Sequence, residues 1–285
     1  KTNKKKMATL EKSGERHRED LPASEADDIK NTNENAEKRP LLPEDTEAGS
    51  SYYDDQLDDN AQNIRQYDQI DRANFVRKVY GILAVQLSIT AIFVGISCAS
   101  DDFQDFQNDN QWLTYLASFF AIATIIVMMC WRQSWREVPL NYILLFVFTL
   151  CESYIVSSAC SYVDDDEIVL MAALLTAGIT VALTLYAWYT TTDFTALGGI
   201  LFLGLVVLSM FSIFVWIFDD RTLELVYCSL GVFIFGLYLI YDTQLITGRY
   251  GLKYSYDDYI LASLELYLDI IMIFLYLLQI LSGKQ

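Results

Sequence analysis

The chain has 285 residues, 53% of them hydrophobic and 14% aromatic, with 37 acidic against 20 basic side chains and a formal net charge of −17. That charge excludes a nucleic-acid partner, because a phosphate backbone would be repelled. So large an apolar fraction behind a strongly polar front excludes an ordinary soluble domain and predicts one polytopic membrane domain with one tail.

Residues 1–70 read as a disordered tail. Lys, Glu, Asp, Asn and Ser dominate it, large aliphatics are few, and three of the four prolines fall here. It holds no apolar h-region, so no cleavable signal peptide is expected. Two short patterns fit sorting adaptors as partners. Glu37-Lys38-Arg39-Pro40-Leu41-Leu42 places an acid ahead of two leucines, and Tyr67-Asp68-Gln69-Ile70 places a bulky apolar residue three positions after a tyrosine. A basic, amphipathic run, Asn74-Phe75-Val76-Arg77-Lys78, leads into the membrane domain, 71–285.

That domain contains seven apolar stretches, each of about 20 residues, the length a helix needs to cross a hydrocarbon core. They cover 79–99, 113–131, 140–161, 168–189, 197–218, 223–246 and 259–281. The fold class expected is an all-α membrane protein, a seven-transmembrane-helix bundle. Arg72, Arg77, Lys78, Arg132, Arg136, Arg249 and Lys253 flank the spans on the tail's side. The opposite segments, 100–112, 162–167 and 219–222, are read as loops, rich in Asp and holding only Arg221. The excess of positive charge places the tail in the cytoplasm, and seven spans then place the C-terminal end on the far side. Acidic loops serve solubility and topology, and they can also concentrate cations. Recurrent glycines in the spans, Gly198, Gly204, Gly231 and Gly236 among them, allow close helix approach.

Five cysteines without a C-x-x-C pair, and a lone His17, give too few ligands for zinc. Cys98, Cys160 and Cys228 fall near the far ends of spans, where free cysteine as a small hydrophobe outweighs a disulfide.

The ionisable residues inside the spans are Glu152, Glu224, Asp242, Glu265 and Asp269. A charged carboxylate at mid-membrane costs about 2.5–3.5 kcal/mol on insertion scales. Glu224, close to a span end, is expected to be wet, and Glu152 has no evident partner. Asp258, Glu265 and Asp269 fall within about 40° on a helix that turns about 100° per residue, forming an acidic stripe that enters the membrane from the cytoplasmic end. Asp242 and Asp269 lie on consecutive, hairpin-linked spans and can meet. Within hydrogen-bond reach the two cannot both ionise, so they would share a proton. Such a pair senses pH, and doubly deprotonated it offers the hard oxygen ligands that Ca²⁺ prefers. The plainer reading is a protonated acid that bonds helix to helix.

Several stretches together carry a resemblance: FVRKVYGILAVQLSIT, Pro139-Leu140-Asn141, DFTALGGIL, LELVYCSLG, YDTQLITG and DDYILASLELYLDIIMIFLYLLQILSG. On these, the chain resembles the Bax inhibitor-1/lifeguard family over residues 72–283, nearest its lifeguard branch. The resemblance implies a seven-helix bundle of Bax inhibitor-1 type with the last helix near the centre. It also implies a pH-sensitive Ca²⁺ leak gated by Asp242 and Asp269, with Arg132 as the arginine that latches the closed state. Glu265 departs from the lifeguard pattern, which has an uncharged polar residue there.

Other seven-span classes fit poorly. No span contains the lysine of a retinal protein, and only Pro139 interrupts a domain in which receptors kink several helices. Asp269 is followed by IIMIF, not by the Gly-rich motif of an intramembrane protease, so no enzyme is expected. The expected function is a pH-sensitive Ca²⁺ leak of Golgi, endolysosomal or ER membranes that restrains cell death. In it Asp242, Asp269, Glu265 and Arg132 form the ion path and pH sensor, Ca²⁺ and protons are cargo, and no cofactor is needed in a monomer. The alternative is a non-conducting scaffold that acts through cell-death regulators.

Overall fold

The computed structural model of the chain describes residues 47–130, 137–163, 165–250 and 253–283. Every regular element among them is a helix: α1 Glu47–Ala99, α2 Asp101–Asp109, α3 Gln111–Cys130, α4 Leu140–Cys160, α5 Asp166–Tyr189, a 3₁₀ turn Thr195–Leu197, α6 Gly198–Phe218, α7 Arg221–Thr247 and α8 Tyr259–Ser282. All except α2 and the 3₁₀ turn are long and apolar enough to cross a membrane, which makes seven spans.

Two elements differ from the sequence expectation. The first helix starts at Glu47, well inside the segment read as disordered from its composition. Residues 50–78 contain neither proline nor glycine, so nothing in the backbone stops a helix from running upstream of the apolar stretch. The second is α2, in a segment read as loop. Ser100 caps it by accepting from the Phe103 amide, Asp101 and Asp102 complement its N-terminal dipole, and Gln107 is turned inward. Gln107 accepts from Ser97 Oγ at 3.0 Å and donates to Ser157 Oγ at 3.1 Å, which folds α2 onto the ends of α1 and α4.

The acidic loop residues also start helices. Asp165 accepts from the Glu167 amide ahead of α5, and Asp220 from Leu223 ahead of α7. Each satisfies donors that have no partner inside the helix. Part of the acidity on this face is therefore capping.

The last helix is the centre of the bundle formed within residues 66–285. Two thirds (67%) of the α8 span is buried, against 11% for α6. It packs on α7, α5 and α4, and α1 reaches it through Thr90, whose hydroxyl lies 2.8 Å from Tyr267 Oη. At 24 residues α8 is about 36 Å long, enough for a full crossing.

The α7–α8 hairpin is antiparallel along its whole length, because the start of α7 holds the end of α8. Arg221 donates to the Gln279 and Ile280 carbonyls, at 3.3 and 3.0 Å. Further along, Gly231 faces Tyr276, whose ring carbons would stand 2.5 Å from an added Cβ. That ring is fenced by Tyr227 at 5.4 Å and Phe235 at 5.9 Å between centroids, so it has little room to yield. Gly231→Ala is expected to destabilise the fold by about 1–3 kcal/mol through overpacking. Thermal unfolding of the detergent-solubilised protein checks this; an unchanged transition would mean that Tyr276 can move aside.

Candidate functional site

The second half of α7 and the first half of α8 carry the acids. Asp242 and Asp269 are each 5% exposed, and their carboxyls are in direct side-chain contact. The antiparallel register that pairs Tyr227 with Tyr276 near the far end also brings these two together. Asp269 Oδ2 is buried with no hydrogen-bond partner. Tyr238 and Tyr241 are close enough to interact electrostatically with this acid cluster.

Glu265 lies one turn from Asp269, toward the α7–α8 loop. It is half-buried, feels the charge of Asp242, and accepts a hydrogen bond from the Tyr254 hydroxyl. Asp258 stands just before the first turn of α8, where its carbonyl accepts from the Ala262 amide at 2.9 Å. Asp258 and Glu265 are half-buried and Asp269 is buried.

Among the described residues no three or more His, Cys, Asp or Glu side chains gather into a metal-holding group. Two carboxylates fall short of the six to eight oxygens of a resident Ca²⁺ site. Arg132, the expected latch, lies outside the described residues, as does Leu41-Leu42. Tyr67 and Ile70 are exposed on α1.

The remaining acids part company. Glu224 is not wet: it is 7% exposed and held by Gln279 Nε2 at 2.8 Å and Arg221 at 3.2 Å. Its proximity to a span end is real, but the end of α8 covers it. It clamps the far end of the hairpin and has no link to the aspartates. Glu152 sits on α4 beside a buried polar cluster, near enough to influence Tyr267 electrostatically. In that cluster Thr90 Oγ1 meets Ser153 Oγ at 2.9 Å and Tyr267 Oη at 2.8 Å, and Gln86 donates to Thr149 at 3.2 Å. All five cysteines are free.

Three residues outside the expected site shape the face near Asp242. Gln244 is fully buried; its Oε1 accepts from the Phe194 amide at 2.8 Å and its Nε2 donates to the Thr192 carbonyl at 2.9 Å. This ties α7 to the α5–α6 connection. The motif YDTQ contains Gln244, so a signal existed, but its role as a staple depends on a loop 50 residues away. Arg72, read only as a topology charge, is 8% exposed and donates to the Leu245 carbonyl at 3.1 Å and the Tyr254 carbonyl at 2.9 Å. Tyr254 itself is one tyrosine among 19, and nothing in the chain's pattern marks it.

A family model described as "Inhibitor of apoptosis-promoting Bax1" matches residues 72–285. Protein lifeguard 3 of Mus musculus is 31% identical over 220 residues, covering 75% of this chain and 70% of that protein. Protein lifeguard 3 of Homo sapiens is 32% identical over 217 residues, with the same coverage. Protein lifeguard 4 of Mus musculus is 33% identical over 212 residues, 74% of this chain and 86% of that protein.

Proposed function

The chain belongs to the Bax inhibitor/lifeguard family of membrane proteins, and from that premise we propose that it is a pH-sensitive Ca²⁺ leak of an intracellular membrane that restrains cell death. The family is implicated in inhibiting apoptosis. The tail faces the cytoplasm, so the Asp242 end of the bundle opens there. Lowering the Ca²⁺ load of a Golgi, endolysosomal or ER compartment is the route by which a leak would protect the cell.

The observation that carries this reading is a pair of contacting aspartates at the centre of a seven-span bundle, one with an unpartnered buried oxygen. An acid kept only to bond helix to helix would have its oxygens satisfied, because an orphaned buried acceptor costs about 1–3 kcal/mol. Two charges about 4 Å apart at an effective dielectric of 20 repel by about 4 kcal/mol. The pair therefore holds one proton between its two carboxyls. Gain or loss of that proton changes the charge at mid-bundle by a full unit, which alters both the fit of α7 on α8 and the attraction for a passing cation.

Ca²⁺ flux into proteoliposomes, followed with a trapped indicator as pH is varied, tests the reading. A flux that follows pH supports it. A folded protein that passes no more Ca²⁺ than empty liposomes would sink it and leave a scaffold acting through protein partners.

A further inference from the structure

In the connection between the two acid-bearing helices, Tyr254 doubles back onto the end of α7: its amide donates to the Leu245 carbonyl at 3.4 Å. One guanidinium then spans both strands of that closure, as Arg72 donates to the carbonyls of Leu245 and Tyr254. The guanidinium lies against an edge-to-face pair of rings, 5.0 Å from Phe75 and 5.6 Å from Tyr256. Gly248, which ends α7 at φ 63°, lies directly beneath it, and any Cβ there would run into the guanidinium. A second strap lies alongside: Asp68 accepts from the Tyr256 hydroxyl and pairs with Lys253 at 3.6 Å. Burial, then the Asp68 carboxylate, pushes the Tyr256 phenol up to about 12, so it stays a donor over the physiological range.

The side chain of Tyr254 points the other way, into the bundle. Its ring packs on the hydrophobic core and its hydroxyl is seated on Glu265. Glu265 lies between Asp258 and Asp269 on the stripe, about one helical turn from Asp269. An ion moving along the stripe passes Glu265 last before it reaches the aspartates.

We propose that Tyr254 closes this mouth of the acidic site by occupying Glu265, and that Arg72 is the residue that positions it. The inference rests on the ion-path reading above. A phenol suits the task because it is a neutral donor. It satisfies the carboxylate while the mouth is shut, and a divalent cation displaces it from that carboxylate without having to break an ion pair. Arg72 acts through the backbone: its fork fixes where the Tyr254 main chain stands, and its own position is set by α1. Movement of α1 at Asp68 and Arg72 therefore frees the tyrosine, which couples the first helix to the acid pair although the two do not touch through these residues.

Hydrogen–deuterium exchange of the reconstituted protein, read at residues 259–266, tests this beside Ca²⁺ flux. Tyr254→Phe keeps the ring and removes only the hydroxyl. Several-fold faster exchange confined to those residues is expected, with flux raised several-fold at neutral pH. Arg72→Gln should do the same, and Arg72→Lys should fall between, since a lysine reaches one carbonyl and not the pair. Unchanged exchange in Tyr254→Phe overturns the closure whatever the flux. Acceleration spread over all the spans in Arg72→Gln marks a loosened bundle and overturns its positioning role. A wild type without flux in which Tyr254→Phe still speeds exchange at 259–266 leaves the closure standing and removes the ion path.

Discussion

Asp269→Asn is expected to abolish the pH dependence of Ca²⁺ flux while leaving the folded bundle intact. An amide has nearly the shape of a carboxyl, hydrogen-bonds to Asp242 and cannot ionise. The amide N–H takes the place of the shared proton, so Asp242 keeps its charge with no like charge against it and the pair's proton step is lost. Asp242→Asn is expected to behave alike, because both carboxyls are 5% exposed and in contact, so they titrate as one unit. The double variant should then add little to either single one, since residues in direct contact are non-additive. Flux through Asp269→Asn that tracks pH as in the wild type would place the sensor elsewhere. Glu152 and Glu265 would then be the next acids to replace. Asp242→Asn without effect, beside a pH-blind Asp269→Asn, would show that Asp269 titrates alone.

Gln244→Leu is expected to have the opposite profile: a large loss of stability with the pH response retained in whatever protein folds. Leucine is close to glutamine in size, so the pocket stays filled. What is lost is both hydrogen bonds: the half-buried Phe194 amide is left without its partner, while the carbonyl of exposed Thr192 can turn to water. A stranded amide costs about 1–3 kcal/mol, a large share of an ordinary stability. The measurement is thermal unfolding alongside the pH profile of flux. A normal transition would mean that water or another side chain replaces the amide. A flattened pH profile with normal stability would move Gln244 from staple to sensor. The comparison with Asp269→Asn separates two residues that stand in adjacent, equally recognisable motifs and do different work.

How much of this was legible beforehand varied with the kind of information involved. Hydropathy is a running property of the chain, so the seven spans and their approximate ends could be read directly; 259–281 became Tyr259–Ser282 with hardly a shift. The acidic stripe on α8 followed from helical geometry, and the aspartate pair from hairpin connectivity. Short-range composition misled in two places. Polar, acidic 100–112 gave no hydropathy signal, yet a cap and one inward glutamine make a helix there. Glu224 looked accessible because it begins a span, but the C-terminal turn of a helix more than 50 residues on lies over it.

The chain by itself determined that this is a seven-span membrane protein and which few acids it carries into the membrane. Span length, charge bias and an isolated carboxylate in an apolar run are local quantities with large transfer energies. Only the tertiary structure decided what surrounds each acid: Asp242 against Asp269, Glu224 under Gln279, Glu265 beneath Tyr254, and Arg72 turned from a topology charge into a clasp over two carbonyls. Those outcomes depend on the antiparallel register of α7 and α8 and on where a loop folds back. Such contacts each contribute little and are selected together by packing, so no one stretch of sequence displays them.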